Sequence, residues 1–254
     1  MAKDAQTTPR NGAKPGPKPG AKAAAQAASQ PGLIRRALRW AARGLLAVTG
    51  FYLLLILLYT VVNPPTDPYI FAESRRLGGV ERQWVPLEAM APELARSVVA
   101  AEDANFCLHW GFDMAAIRLA LDEGGGRGAS TLTQQVVKNV FLWQGRSWVR
   151  KAMEAMLTPV VELVWSKRRI IEVYLNIAEF GDGVFGAEAA AQHHFRVSAA
   201  ELTATQASRL AAVLPDPKGR DAANPSSFVR KRAAAARDGA ETILTDGRAA
   251  CFED

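Results

Sequence analysis

Two adjacent carboxylates, Glu102 and Asp103, follow an apolar run near the predicted end of a helix. Val98 and Phe106 flank them, and both this apolar surrounding and the negative end of the helix dipole disfavour a charge on Glu102. A carboxyl group placed in this way acts as a general acid or base near neutral pH. The pattern fits a solvated helix end equally well, and this stretch alone leaves both interpretations open.

A glycine-rich stretch, residues 124–128, leads into a predicted helix whose beginning is crowded with hydroxyl groups. Free N–H groups at a helix N-terminus bind anions, and glycine lets the backbone approach a ligand closely. The pattern is typical of a phosphate or sugar site, and it also fits a surface loop with an ordinary cap. It lacks the G-K-[ST] ending of a P-loop. The candidate ligands are Ser130, Thr131, Gln135 and Lys138.

A third stretch, residues 146–169, interleaves cations with tryptophans. Arg150 and Glu154 are four residues apart and meet on one helix face. Glu154 is therefore either a structural ion-pair partner or a second carboxylate of a site. Tryptophans beside cations suit a membrane interface, where a lipid pyrophosphate would lie. The cations are Arg146, Arg150, Lys151, Lys167, Arg168 and Arg169.

The three histidines and two cysteines form no familiar metal or nucleophile motif. The sequence has no H-E-x-x-H pattern, no G-x-S-x-G and no S-x-x-K with K-T-G, which argues against zinc and acyl-transfer sites. We expect His109 to pack or to form a hydrogen bond. Cys107 and Cys251 lie far apart in the sequence, so we expect a buried free Cys107 rather than a disulfide.

Helical periodicity dominates the chain from about residue 69 onward, and β-branched alternation is rare. Pro92 suits the first turn of one helix, and Thr131 with Gln134 forms a capping-box pattern that opens another. A long helical stretch begins near residue 147, with a predicted kink at Pro159 and an interruption near Ser166. Two further helices are predicted within residues 198–214 and 225–244. The sequence therefore predicts a mainly α domain.

A run of uncharged residues, 44–62, precedes this domain. It is long enough to cross the roughly 30 Å hydrocarbon core of a bilayer as a helix. The run exceeds the usual apolar core of a signal peptide, and no clear cleavage site follows, so we predict a retained anchor over residues 33–62. Basic residues precede the anchor and none follows it before Arg75. This bias places the N-terminus in the cytoplasm and the remaining chain, residues 63–254, in the periplasm.

The chain of 254 residues has a formal net charge of +6, and many of its cations come early. Residues 1–32 combine Pro, Gly, Ala and Lys without an apolar period, so we predict a disordered basic cytoplasmic tail. Because the protein is basic, nucleic acid is a candidate partner. A periplasmic domain does not meet nucleic acid, so we exclude this partner.

Several segments, in this order, resemble one family of cell-wall enzymes: "EDANFCLHWGFD", "GASTLTQQVVKN", "RKAMEAM", "SKRRIIEVYLNIAEFG" and "LAAVLPDP". The family is the glycosyltransferase module of class A penicillin-binding proteins and of monofunctional biosynthetic peptidoglycan transglycosylases. The resemblance covers about residues 73–232. No penicillin-binding domain follows, so the chain is similar to the monofunctional, Gram-negative type. Two departures are His194, where the family usually has Tyr, and Ala129, where it usually has a second glycine.

The resemblance implies a lysozyme-like, two-lobed helical glycosyltransferase domain behind one N-terminal transmembrane helix. It implies polymerisation of lipid II into β-1,4-linked glycan, with inversion and loss of undecaprenyl pyrophosphate. Glu102 would be the base for the acceptor hydroxyl, and Glu154 the second catalytic carboxylate. The residues that would neutralise the pyrophosphate are Lys138, Arg150 and Lys151. Those that would position sugar or phosphate are Ser130, Thr131, Gln135 and Lys167.

The same resemblance leaves room for a divalent cation, Mg²⁺ or Mn²⁺, at the pyrophosphate, and it implies that Glu154 would stabilise the donor site or help bind this cation. The partners that it implies are the lipid II donor and acceptor, the growing glycan strand, membrane lipids, and other cell-wall synthesis or division proteins. A pyrophosphate leaving group needs cations but no protonation, which fits one base beside a cationic clamp. The alternatives are a lysozyme-like or lytic enzyme that cleaves glycan, and a membrane-anchored scaffold without turnover.

Overall fold

The structure is a computed structural model that describes Gly12, residues 31–124, Gly128 and residues 130–253. Most of the tail predicted at residues 1–32 lies outside the described residues. The chain divides into two compact units, Met1–Leu53 and Leu54–Asp254.

The first helix, α1, spans Pro31–Leu58, and an 18-residue window within its segment Gly32–Leu58 has a mean hydropathy of 2.0. At about 1.5 Å per residue this segment measures roughly 40 Å, which is enough to cross a bilayer. Its apolar side chains, such as Leu45 and Leu46, are largely exposed, as lipid-facing side chains are. The predicted N-terminal helix with the length and composition of a membrane span is therefore confirmed.

The unit Leu54–Asp254 is mainly helical, as predicted from the sequence. Its helices are α2 (Pro68–Leu77), α3 (Pro92–Glu102), α4 (Met114–Asp122), α5 (Leu132–Phe141), α6 (Trp148–Val164), α7 (Lys167–Ile177), α8 (Ala187–Phe195), α9 (Ala204–Val213), α10 (Ser227–Thr245) and α11 (Ala250–Glu253). Three short strands form one sheet in the order β1-β3-β2, namely β1 (Glu81–Arg82), β2 (Glu179–Gly181) and β3 (Val184–Phe185). Strand β1 pairs parallel with β3, whereas β2 pairs antiparallel with it.

One helical group consists of α3, α9 and α10, which pack on one another. Helix α3 contributes buried Leu94 and Val98, and α10 contributes small side chains such as Ala236. A Cβ added at Gly239 in α10 would lie 2.9 Å from the Cβ of Ala100 in α3. Glycine is therefore required here by the close approach of two helices, and this approach fixes the end of α3 that carries Glu102.

The other group packs α5 against α6 and α7. Thr131 opens α5 with the predicted capping box, because its side chain and that of Gln134 each bind the other's backbone N–H. Helix α6 continues through Pro159 and ends at Val164, and Ser166 then caps α7 by accepting from Arg169 N at 3.1 Å. The predicted interruption near Ser166 is confirmed.

The expectation of a free Cys107 was wrong, because Cys107 and Cys251 form a disulfide across 144 residues of sequence. Helix α10 carries the chain back toward the end of α3, and α11 then lies beside the short 3₁₀ turn Phe106–Leu108. The two Cα atoms are 5.7 Å apart, within the range of disulfides. Sequence separation alone carries no information on this tertiary proximity.

Candidate active site

Glu102 is the last residue of α3, and its carboxylate lies between α5 and α10. Its Oε2 accepts a hydrogen bond from Gln135 Nε2 at 3.2 Å, and its Oε1 lies 3.5 Å from a guanidinium nitrogen of Arg232. Only 13% of the side chain is exposed. The carboxylate is therefore shielded from bulk water, which favours the interpretation as a site residue over that as a solvated helix end.

Burial raises the pKa of Glu102 above its ordinary value, because desolvation disfavours the charged form. The hydrogen bond from Gln135 and the charges of Arg232 and Arg220 oppose this rise. The result is a carboxylate that is more basic than a solvated glutamate and still has charged neighbours to balance it. This is the state that a general base at neutral pH requires.

The Gln135 amide is itself oriented by a second hydrogen bond. Its Oε1 accepts from the Tyr174 hydroxyl at 3.2 Å, so its NH₂ group faces Glu102. Burial raises the pKa of Tyr174 well above the usual range, so this phenol stays protonated and donates. A series of hydrogen bonds from α7 through α5 to α3 thus fixes the position of Glu102 Oε2.

A cleft of about 320 Å³ opens beside Glu102. Its volume lies in the range of ligand pockets, about 300–1,000 Å³. It runs between the end of α3, the beginning of α4 and the chain that enters α5. The residues that line it include Glu102, Asp103, Asn105, Asp113, Gly128, Ser130 and Thr131.

A cationic cluster of Lys138, Arg150 and Lys151 adjoins the Glu102 site across α5 and α6. Lys138 lies within electrostatic range of both Glu102 and Glu154. Its pKa is lowered, mainly by burial and further by the charges of Arg150 and Lys151. A poorly hydrated cation next to two others binds an anion more strongly than a fully solvated one does.

Glu154 organises these cations rather than standing free. It is 2% exposed, one carboxylate oxygen accepts from Arg150 at 2.7 Å, and the other binds Lys151. Arg150 also donates through Nε to the carbonyl of Gly145 at 2.9 Å. The exposed Ser130 hydroxyl lies 3.5 Å from Lys151 Nζ, so Ser130 adjoins the cationic cluster, whereas residues 125–127 of the glycine-rich stretch lie outside the described residues.

Asp103 is buried and fixes the turn after Glu102. Its Oδ2 accepts from the Leu132 backbone N–H at the start of α5 at 3.0 Å, and its Oδ1 lies 2.8 Å from His109 Nε2. Both bonds tie the end of α3 to neighbouring elements. The prediction that His109 packs or forms a hydrogen bond is confirmed.

Thr131 and Lys167, predicted to bind substrate, are held by protein partners. Thr131 is buried and donates to the carbonyl of Gly111 at 2.7 Å. Lys167 Nζ binds Glu162 at 2.9 Å and the carbonyl of His109 at 2.8 Å. These contacts give both residues a structural role. The contacts that they would make with a substrate stay a prediction.

The other predicted residues form two adjoining groups. Glu102 and Gln135 form the shielded carboxylate site. Lys138, Arg150 and Lys151 form the cationic cluster, and Glu154 and Ser130 contact its members. Arg232, Arg220 and Tyr174 were not predicted from the sequence as site residues. Arg232 and Arg220 lie more than 110 residues after Glu102. No local pattern in the sequence indicates their proximity to it.

A second acidic group, Glu73, Glu179 and Asp182, has carboxylate oxygens close enough together to hold a metal ion. Lys218 Nζ, however, lies 2.8 Å from Glu73 and 3.7 Å from each of the other two. Arg76 also binds Glu73 and Asp182. Two protein cations already bind these three acids, so the cluster links α2, the β2–β3 turn and the loop after α9.

Comparison with known proteins identifies the family of this chain. The family model described as Transglycosylase matches residues 71–241, about two thirds of the chain. The chain belongs to the transglycosylase family. The match contains every predicted site residue, and it ends before the segment that carries Cys251.

Three curated relatives, each named biosynthetic peptidoglycan transglycosylase, support this membership. A protein of Jannaschia sp. (strain CCS1) is 64% identical over 84% of this chain and 90% of its own length. One from Stutzerimonas stutzeri (strain A1501) is 50% identical over 80% of this chain and 88% of its own. One from Rhodospirillum centenum is 45% identical over 87% of this chain and 98% of its own. The resemblance inferred from the sequence motifs is confirmed.

Proposed function

We propose that the protein is an inverting peptidoglycan glycosyltransferase that polymerises lipid II into β-1,4-linked glycan and releases undecaprenyl pyrophosphate. The observation that carries this proposal is one shielded carboxylate with a raised pKa, Glu102, beside a cluster of three cations. The family membership and the names of the relatives support it. The shielded base suits an acceptor hydroxyl, and the cations suit a pyrophosphate.

In the proposed reaction Glu102 takes the proton of the acceptor 4-hydroxyl as its oxygen attacks C1 of the donor MurNAc. The bond between C1 and the pyrophosphate oxygen breaks, and the electron pair leaves with the pyrophosphate. Lys138, Arg150 and Lys151 neutralise the developing charge, so the leaving group needs no proton. Attack from the face opposite the pyrophosphate inverts the donor configuration.

The charge arrangement favours synthesis over cleavage. A glycosidase expels a sugar alcohol and needs one carboxylic acid to protonate it and a second carboxylate free to act. Both oxygens of Glu154 are bound by cations, so neither oxygen is free for another partner. Glu154 therefore suits the alignment of Arg150 and Lys151 better than proton transfer.

The resemblance leaves room for a divalent cation, Mg²⁺ or Mn²⁺, at the pyrophosphate. The residues present do not fit a metal held by the protein at Glu154, because Arg150 and Lys151 already occupy its oxygens. Mg²⁺ prefers carboxylates together with substrate phosphates, and it is repelled by neighbouring cations. The proposed steps therefore use no metal.

The proposed location is the bacterial inner membrane, with the N-terminus in the cytoplasm and the catalytic domain in the periplasm. The cations before α1 support this orientation, and so does the Cys107–Cys251 disulfide, since disulfides persist in oxidising compartments. Exposed apolar residues on α6, such as Trp148 at 91% and Met156 at 72%, support contact with membrane lipids. Other cell-wall synthesis or division proteins stay predicted partners.

The test is incubation of the detergent-solubilised full chain with labelled lipid II, and separately with preformed glycan strands. We expect polymer from lipid II that lysozyme digests, and no shortening of the preformed strands. Shortening without polymer would overturn the proposal in favour of a lytic enzyme. Absence of both activities would favour a scaffold.

A further inference from the structure

The last segment of the chain, residues 246–253, lies beyond the matched transglycosylase domain, which ends at residue 241. We call this segment the C-terminal clasp. It contains a turn after α10 and the four-residue helix α11. A helix of four residues is not stable by itself, so contacts with the rest of the unit must hold it in place.

The clasp contacts residues 104–107, in the segment that follows Glu102. Cys251 is bonded to Cys107, and a guanidinium nitrogen of Arg248 donates to the carbonyl of Ala104 at 3.0 Å. The ring of Phe252 lies 6.4 Å from that of Phe106, and both rings are fully buried. A covalent bond, a hydrogen bond and an aromatic contact thus all reach residues 104–107.

The clasp is also bonded to the helices on both sides of residues 104–107. Arg168 at the start of α7 donates to the carbonyl of Phe252 at 3.0 Å. Arg96 in α3 lies 2.9 Å from Glu253 through its Nε. The clasp therefore bridges α3, which carries Glu102, and α7, which carries Tyr174.

On the side opposite the clasp, Asp103 and Phe106 contact other parts of the same unit. Asp103 binds the start of α5, and Lys167 Nζ lies 4.4 Å from the centre of the Phe106 ring. The residues after Glu102 are thus fixed between the domain and the clasp. If the clasp is released, only one of these two sides still holds them.

We propose that the C-terminal clasp, closed by the Cys107–Cys251 disulfide, is a positioning element that keeps Glu102 in its shielded geometry. Cys251, Phe252 and Arg248 act through residues 104–107 and are positioning residues, not catalytic ones. The consequence for catalysis rests on the proposed function, whereas the consequence for the structure does not. Displacement of a catalytic group by about 1 Å can cost about 10²-fold in rate, so loosening of this chain is measurable.

The first test is hydrogen exchange, which needs no enzymatic activity. Reduction by dithiothreitol gives the disulfide two electrons and two protons, and the reagent becomes its cyclic disulfide. The amide N–H groups of Asp103, Phe106 and Leu108 form backbone hydrogen bonds of 2.7–2.9 Å. We expect them to exchange at least about tenfold faster after reduction, while amides in the middle of α5 and α7 keep their rates.

The second test is lipid II polymerisation across a pH series, with oxidised and reduced protein. We expect reduction to lower kcat about tenfold with little change in KM. The acid limb of the pH profile should move to lower pH, because water that reaches Glu102 lowers its raised pKa. A general loss of folded protein would lower kcat without moving this limb.

Two variants control these experiments. The variant Cys107→Ala with Cys251→Ala should resemble the reduced protein, and dithiothreitol should leave it unchanged. Phe252→Ala keeps the disulfide and should increase exchange at residues 103–108 by a smaller factor. If this second variant matches the oxidised protein, its exchange result overturns the contribution of the Phe252 contact.

The outcomes separate the two proposals. Unchanged exchange at residues 103–108 after reduction overturns the clasp, whatever the activity. Faster exchange with an unchanged kcat and an unchanged pH profile overturns its role in positioning Glu102. Absence of polymer from the oxidised wild type overturns the proposed function and leaves the exchange result to decide on the clasp.

Discussion

Replacement of Glu102 by Gln is the perturbation that probes the proposed mechanism most sharply. The amide has nearly the same shape, and its oxygen can still accept the hydrogen bond from Gln135. It cannot take a proton from the acceptor hydroxyl. General-base catalysis contributes about 10²–10⁴-fold, which corresponds to roughly 2.7–5.4 kcal/mol of transition-state stabilisation.

The same substitution should not destabilise the protein at neutral pH. Burial raises the pKa of Glu102 in the folded state, so the folded state binds more protons than the unfolded one between the ordinary and the raised pKa. The stability of the wild type falls as the pH rises through that window. Glu102→Gln removes this loss, so the variant should be at least as stable as the wild type at pH 7.

The assay pairs lipid II kinetics with urea unfolding for the wild type, Glu102→Gln and Glu93→Gln. Glu93 lies in the first turn of the same helix and serves as the matched control, with its activity expected to stay unchanged. We expect Glu102→Gln to lose at least about 10²-fold in kcat with its unfolding midpoint retained. Retention of more than a hundredth of the wild-type rate would refute the role of Glu102 as base.

Three further substitutions test the neighbours of Glu102. Lys138→Ala should weaken use of the pyrophosphate donor more than binding of a pyrophosphate-free glycan, and equal losses in both assays would make the lysine merely structural. Tyr174→Phe frees the Gln135 amide to turn its oxygen toward Glu102, so kcat should fall about tenfold with the folded structure retained; an unchanged kcat would argue against this chain of hydrogen bonds. Glu154→Gln leaves Arg150 without its buried anion and should cost about 2–3 kcal/mol in urea unfolding as well as activity. Undiminished stability of that variant would contradict the organising role of Glu154.

Local rules predicted much of the fold. The first-turn preference of Pro92, the capping box of Thr131 and the break near Ser166 depend on residues a few positions apart, and the structure agrees at each position. The length and composition of the apolar helix followed in the same way. Such features depend on the backbone and on near neighbours, which a sequence shows directly.

Contacts between distant residues could not be predicted from the sequence in this way. The disulfide joins positions 144 residues apart, and Arg232 approaches Glu102 only because α10 packs on α3. Thr131 and Lys167 were predicted from the sequence as site residues, whereas their bonds to Gly111 and Glu162 depend on tertiary packing. The residue types indicated a chemistry, whereas the partners that hold each side chain depend on the whole fold.

The most direct test of the central claim is the stoichiometry of the wild-type reaction with doubly labelled lipid II. One label marks the disaccharide and the other the lipid pyrophosphate, so linkage and leaving group are counted together. The proposed mechanism predicts one undecaprenyl pyrophosphate released for each disaccharide added to lysozyme-sensitive polymer. Linkage without release of pyrophosphate, or release without linkage, would contradict it.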